Sequence, residues 1–383
     1  MTKIHTLLLL CLFALVLPVA GQEAEFKKIK ESWTLRADGS QVYRHMKVLT
    51  LYTHTAMNRT YGESFITYDP RYQTLEIHES YTRQKDGNIV KTPDNAFVEV
   101  LPAAAANAPA FNALREMVVV HTGLELGATV YLDYSITSKP GYLPEINVCR
   151  QLEQSSPVKE YEISITVPQG QRLEYALDNL KSKPLVTEKE GMKQVSWVLK
   201  NLPALSREPQ VSVIGGELPL LTATTEQKPM AFLSAQWERE ADARLRTLAG
   251  KLTAGAKSDE EKVKALHSYV IDNLYYSPLP LSETAYRIRP TAEVLRSAYA
   301  TEAEKANLLA ALLRAASLKA EIGAVCVPSA NTASLGMGSI RELFVWTEAG
   351  GRQQALSLKG KTPSAVSWQK DYAYVAMLTQ PFE

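Results

Sequence analysis

The spacing of apolar residues along this chain changes once, near residue 220, and that change constrains the fold more than any other feature. Before it, apolar side chains recur at every second position. Val130, Leu132, Tyr134 and Ile136 alternate with Tyr131, Asp133 and Ser135, the period of a strand with one buried face. Tyr161, Ile163, Ile165 and Val167 repeat the pattern, as do Val195, Trp197 and Leu199. Asp38-Gly39 and Asp86-Gly87 fall between such runs, and Asp-Gly suits tight hairpin turns because it tolerates positive φ. Many short strands with frequent turn signals predict an antiparallel β-sandwich over residues 22–220. Residues 101–110, rich in alanine and proline, cannot continue a strand and read as a long loop across the sheet.

Residues 222–229 show neither period, so 221–235 reads as a linker. Beyond it the spacing is helical. Trp237, Ala241, Leu245, Leu248 and Leu252 share one face, and Val263, Leu266, Val270, Ile271 and Leu274 another. Ser258 with Glu261, and Thr301 with Glu304, have the spacing of capping boxes, in which side chains satisfy the first unpaired helix amides. Pro290-Thr291 opens a short helix between them. Strand patterns follow at 322–326, 343–347 and 354–358, the last two joined through Gly350-Gly351. Helices first and an antiparallel sheet afterwards give an α+β domain over residues 236–383.

With 383 residues the chain is long enough for two cores. A formal net charge of +1 provides no global field for nucleic acid, and no nucleic-acid partner is expected. The first residues carry a basic start at Lys3, an apolar run over 7–17, and small residues before Gly21. This is the form of a signal peptide over residues 1–21, cut between Gly21 and Gln22. The expectation is an exported protein, periplasmic or outer-membrane associated, with no transmembrane segment in the mature chain. Cleavage leaves Cys149 and Cys326, one in each half. They can bridge the halves or lie as two separately buried thiols, and the second is the plainer reading.

Particular residues resemble known families. Trp33-Thr34-Leu35-Arg36-Ala37-Asp38-Gly39, Tyr61-Gly62-Glu63-Ser64-Phe65-Ile66 and Ser80-Tyr81-Thr82-Arg83-Gln84-Lys85-Asp86-Gly87 resemble a bacterial domain of unknown function that commonly precedes transglutaminase-like domains. Asn107-Ala108-Pro109-Ala110-Phe111-Asn112 and Leu114-Arg115-Glu116-Met117 extend that likeness. Residues 237–358 resemble the transglutaminase-like fold, papain-like in its active-site logic. The resemblance implies a cysteine at a helix N-terminus, where amides and dipole lower its pKa, a histidine on a later strand, and an aspartate on the next. Relatives of this architecture usually continue into a further β domain, whereas here residues 358–383 have room for about two short strands.

Placed on that pattern, Glu304, Lys305 and Ala306 keep the end of the family motif, but Glu302 stands at the cysteine position, Glu342 at the histidine and Ser357 at the aspartate. Every histidine lies at or before His267, so the hairpin that should supply the base contains no imidazole. Cys326 falls within a strand pattern, away from any helix start. No catalytic triad, cofactor or metal is therefore expected. The reading is a non-catalytic cell-envelope binding or scaffold protein with a protein or glycan partner. The alternative is a hydrolase using Glu302 and Glu342 as paired carboxylates; the plainer view makes Glu302 a favourable first-turn acid and Glu342 a solvated strand end.

Overall fold

The computed structural model describes residues 22–205, 218–228 and 230–360 and the backbone of Tyr374–Met377. The expected signal segment and Gly21 lie outside the described residues, and Gln22 is the first residue within them. In chain order the first strands are β1 (Ala24–Leu35), β2 (Gln41–Leu51), β3 (Glu63–Tyr68), β4 (Gln73–Arg83), β5 (Ile89–Lys91), β6 (Phe97–Val100) and β7 (Arg115–Val120). Then come β8 (Thr129–Ser138), β9 (Asn147–Gln151), β10 (Val158–Pro168), β11 (Glu174–Asp178), β12 (Leu185–Lys189), β13 (Met192–Leu202) and β14 (Leu220–Thr224).

Eight of these form one sheet in the order β12-β13-β10-β1-β2-β8-β4-β5. Two small sheets, β3-β7-β6 and β11-β14-β9, face it. Val148, Leu221 and Ala223 of one small sheet pack with Ile163, Ile165 and Trp197 of the large one. Ile66 and Val119 of the other pack on Leu132. The sandwich is thus as the alternation predicts, with one departure from antiparallel pairing: β10 runs parallel to β1. The chain visits the opposite layer through β9 before β10 returns beside β1, and a parallel pair requires such a crossover.

The expected linker at 221–235 is not one. β14 lies in the middle of its sheet with all of its residues buried. Leu221 and Ala223 face the sandwich core, while Thr222 turns the other way and its Oγ1 lies 2.6 Å from Ser334 Oγ of the second domain. A strand buried on both faces has no apolar–polar alternation, which is why the segment reads as aperiodic. The 101–110 loop carries two short 3-10 turns, Ala103–Ala105 and Pro109–Phe111, and its Ala105 and Ala108 pack on Leu279 and Tyr299 of the second domain.

The second domain contains α1 (Ala231–Ser234), α2 (Ala243–Thr253), α3 (Asp259–Asp272), β15 (Tyr275–Tyr276), α4 (Thr291–Ser297), β16 (Tyr299–Ala300) and α5 (Glu302–Ala315). After these come β17 (Ala320–Cys326), β18 (Ile340–Ala349), β19 (Arg352–Ser357) and β20 (Tyr374–Met377), paired antiparallel as β19-β18-β17-β20. Gly350 and Gly351, at φ +56° and +74°, make the tight turn of the β18–β19 hairpin. Helix α2 starts later than the apolar spacing suggested, at Ala243, because the Asp242 carboxylate caps it by accepting from the Leu245 amide at 2.7 Å. Helix α5 is buried continuously from Ala303 to Leu313, and so forms the centre of the domain.

Several charged groups lie buried in the sandwich, Glu31 among them. Glu31 on β1 is 2% exposed, and its carboxylate accepts from Tyr43 Oη (2.6 Å) and Tyr161 Oη (2.5 Å). It also lies 2.8 Å from Arg150 Nη2 and 3.2 Å from His45 Nδ1. Burial works to raise its pKa, but Arg150, His45 and Tyr161 outweigh it and hold the group at about 2. With the folded-state pKa depressed, this carboxylate contributes stability above its ordinary value of 4.5 and loses it as pH falls toward about 2. Glu31→Gln is expected to cost about 3 kcal/mol at neutral pH. Urea titrations of both proteins should show that difference shrinking between pH 5 and pH 2.

Candidate functional site: the cleft at the start of α5

The start of α5 is fixed by its own sequence. Thr301 Oγ1 accepts from the Glu304 amide at 3.4 Å, and Glu304 Oε2 accepts from the Thr301 amide at 2.9 Å, completing the capping box. The Glu304 carboxylate, with no exposed side-chain surface, also receives Arg289: Nε to Oε1 and Nη2 to Oε2, both at 2.8 Å, and the Arg289 amide at 3.0 Å. Arg289 further donates to the Tyr299 carbonyl at 2.8 Å, and its guanidinium lies 4.2 Å from the Tyr299 ring centroid. This fork–fork pair ties the loop between β15 and α4 to the helix N-terminus.

That loop is one wall of a cleft. Pro278, Leu279 and Pro280 face Met337, Ile340 and Arg341 across a cavity of about 330 Å³, with Tyr276, Thr301 and Glu302 at its head. The loop passes through two successive left-handed residues, Ala285 (φ +50°) and Tyr286 (φ +59°), both buried. Such conformations cost about 1–3 kcal/mol each and are over-determined here by Gln236, which donates to the Tyr286 carbonyl at 2.8 Å and accepts from the Ile288 amide at 3.1 Å.

Glu302 occupies the first turn of α5, half-buried, where the helix dipole favours an acid. Its Oε1 accepts from the Leu343 amide at 3.3 Å and lies 3.3 Å from Lys359 Nζ. Burial pushes the Glu302 pKa up, and Lys359 only partly offsets this. Burial works against the Lys359 charge, but Glu302, Tyr276 and Glu342 together raise its pKa. The Tyr276 hydroxyl is pushed up by burial and by Glu302.

Glu342, opposite Val325 in the β17–β18 register, is half-buried rather than a solvated strand end, and it contributes to the raised pKa values of Glu302 and Lys359. Ser357 pairs with Phe344 in the hairpin and turns its carbonyl toward α3, where His267 Nε2 donates to it at 2.7 Å. So Glu302 and Glu342 both act electrostatically on Lys359, which contacts Glu302 directly, and Ser357 Oγ accepts from the Lys359 amide at 3.3 Å. Sequence reasoning missed Lys359, which lies in the bend just after β19, two residues beyond Ser357.

The thiols lie elsewhere. Cys326 is fully buried on β17, where burial pushes it up to about 12. Cys149 on β9 accepts from Arg341 Nη2 at 3.1 Å, and burial still keeps its pKa raised. Both are free thiols. Gly336 lies against the same β9–β14 face; a Cβ there would meet Asn147 Oδ1 at 2.0 Å, so the close approach of the domains requires glycine.

Comparison with known proteins agrees with this architecture. Residues 37–206 match the model of a domain of unknown function with solved structures, DUF3857, and residues 246–354 match the core of the transglutaminase-like superfamily. A crystal structure described as a "putative protease" from Parabacteroides distasonis ATCC 8503 is 46% identical, superposes with a TM-score of 0.88, and shares 93% of this chain and 70% of its own. An M1 zinc metallopeptidase from Deinococcus radiodurans shares 77% of this chain and 64% of its own at 11% identity and a TM-score of 0.24. No curated protein matches. The second domain is a transglutaminase-like domain. The chain belongs to the family in which DUF3857 precedes that core.

Arg289→Met should leave the Glu304 carboxylate buried and uncompensated, costing about 3–5 kcal/mol in urea unfolding. Adding Glu304→Gln, which keeps the cap but removes the charge, should recover much of that loss.

Proposed function

We propose that this protein is a non-catalytic binding protein of the cell envelope, whose transglutaminase-like cleft holds a protein or glycan partner without transforming it. The observation carrying this reading is the Glu302–Lys359 pair at 3.3 Å, on the turn where the fold presents a nucleophile. A thiolate–imidazolium couple at such a site is reactive because its sulfur attacks and its ring moves the proton. Here the cysteine position carries a carboxylate and the histidine position Glu342, and the ammonium of Lys359, from neither position, forms a stable ground-state pair with Glu302. The apolar walls and the polar head remain suited to recognition. Export is read from the basic and apolar character of residues 1–21.

A second reading draws on a specific feature. The pKa of Glu302 is pushed up by burial, with Glu342 adding to the rise, the kind of inequality that divides two carboxylates into acid and base; the relative from Parabacteroides is described as a "putative protease". On that reading Glu302 protonates a leaving group in a hydrolytic reaction.

The purified mature protein is expected to show neither amine incorporation nor peptide hydrolysis above the uncatalysed rate. Hydrolysis lost in Glu302→Gln would replace the binding reading with the carboxylate one, and activity lost in Cys326→Ala would restore thiol chemistry. Sequencing the N-terminus of the protein recovered from an envelope fraction should give Gln22 first; recovery from the cytoplasm with Met1 intact would remove the export claim.

A further inference from the structure

Glu226 sits at the joint between the two domains, two residues past β14, and is 3% exposed. Its neighbours come from both sides of that joint. On the sandwich side its amide donates to Thr224 Oγ1 at 3.1 Å, and Asn147 of β9 and the carboxylate of Glu145 act on its side chain. On the other side Glu226 Oε2 accepts from the Met230 amide at the start of α1, and the Met337 amide, in the 3-10 turn Met337–Ser339, acts on the same carboxylate. The packing is tight: a Cβ on Gly336 would meet Asn147 Oδ1 at 2.0 Å and Thr224 Oγ1 at 2.8 Å. Met337 lines the α5 cleft beside Ile340, and Tyr286, whose hydroxyl feels the Glu226 charge, lines it from the loop between β15 and α4. One carboxyl group therefore acts on both walls of the cleft.

Two acceptors in this joint lack donors. Glu226 Oε1 and Asn147 Oδ1 are both shielded from solvent, and neither is met in hydrogen-bond geometry among the described residues. Such atoms lower stability until a donor reaches them. An oxygen with no accessible surface takes no donor from a ligand, but a proton on the carboxyl group needs no added space. It turns one of the two acceptors into a donor and ends the repulsion between Glu226 and Glu145. Burial pushes the Glu226 pKa up and Glu145 adds to the rise, against the opposing effects of Met230, Asn147 and Met337. The other polar groups around the joint are engaged elsewhere. Thr225 donates to Glu145 Oε2, Arg172 pairs with Glu174 and donates to the Gln227 carbonyl, Arg341 donates to Cys149 Sγ, and Lys228 is exposed.

We propose that Glu226 is a proton latch between the domains. Protonated, it holds the Met230 and Met337 segments against the sandwich and keeps the α5 cleft at its resting width. Ionised, it is driven out of the joint by its own burial and by Glu145, which loosens the Met337 wall and ties occupancy of the cleft to pH. The folded chain keeps this proton above the ordinary value of 4.5, where the unfolded chain gives it up. The stabilisation is thus complete below 4.5 and is lost as pH rises through the raised value. The effect on binding rests on the cleft role proposed above; the latch itself does not.

The mature full chain tests this without any partner. In protein labelled at the glutamate carboxyls, the Glu226 carbon signal, assigned by its loss in Glu226→Gln, should titrate with a midpoint above 4.5. A midpoint at or below 4.5 overturns the proposal. Glutamine keeps the acceptor for Met230 and stands in for the protonated carboxyl. The Tm difference between Glu226→Gln and the wild type should therefore move in favour of the variant as pH rises from about 5 to about 8. A difference that stays constant with pH sinks the latch. Amide exchange, corrected for base catalysis, should show Met230 and Met337 opening at least about tenfold more often at the higher pH in the wild type, and at most about twofold more often in the variant. Equal opening in the two proteins would make Glu226 a structural acid and remove its control of the cleft. Failure of these measurements leaves the cleft's binding role standing, and a cleft that proves hydrolytic leaves the latch standing.

Discussion

The arrangement of the second domain rests on one buried ion pair, Arg289 with Glu304. Glu304 is at once the third residue of α5, the reciprocal half of its capping box, and the only carboxylate that meets the Arg289 guanidinium among the described residues. The helix N-terminus and the loop opposite it therefore share a single anchor. One wall of the α5 cleft and the helix start at its head are bonded to the same carboxylate. Desolvating such a pair costs more than a surface pair returns, and the bidentate geometry with the Tyr299 ring beneath the guanidinium offsets much of that cost. The result is a preformed concavity that does not depend on what the first-turn residue happens to be.

That independence explains how a fold associated with nucleophilic chemistry can carry Glu302 and Lys359 at its centre without collapsing. The helix dipole favours an acid at Glu302, and Lys359 at 3.3 Å compensates its charge.

How much of this was legible in the residues depends on whether the signal was local. Capping at Thr301 and Glu304 was legible because both halves fall within four positions, and the strands of the sandwich were legible because one face of each meets water. Glu302 and Glu342 were placed in the cleft by resemblance to a motif. Lys359 was not, because it lies in the bend after β19, where no periodic pattern tells which way a side chain turns. Arg289 gave no sign of its role: fifteen positions separate it from Glu304, and a lone arginine in a loop reads as solvated. Strand β14 was mistaken for a linker because its threonines face a second protein layer instead of solvent.

The position of β14 also bears on what counts as a unit of this molecule. The DUF3857 match ends at residue 206, yet the central strand of one small sheet begins at Leu220 and offers its outer face to the neighbouring domain. Cutting at the similarity boundary would therefore strip β9 and β11 of their shared partner, baring two sheet edges and the apolar floor beneath them. Sequence similarity and folding divide this polypeptide at different places: the matched N-terminal module takes its last strand from beyond the matched residues.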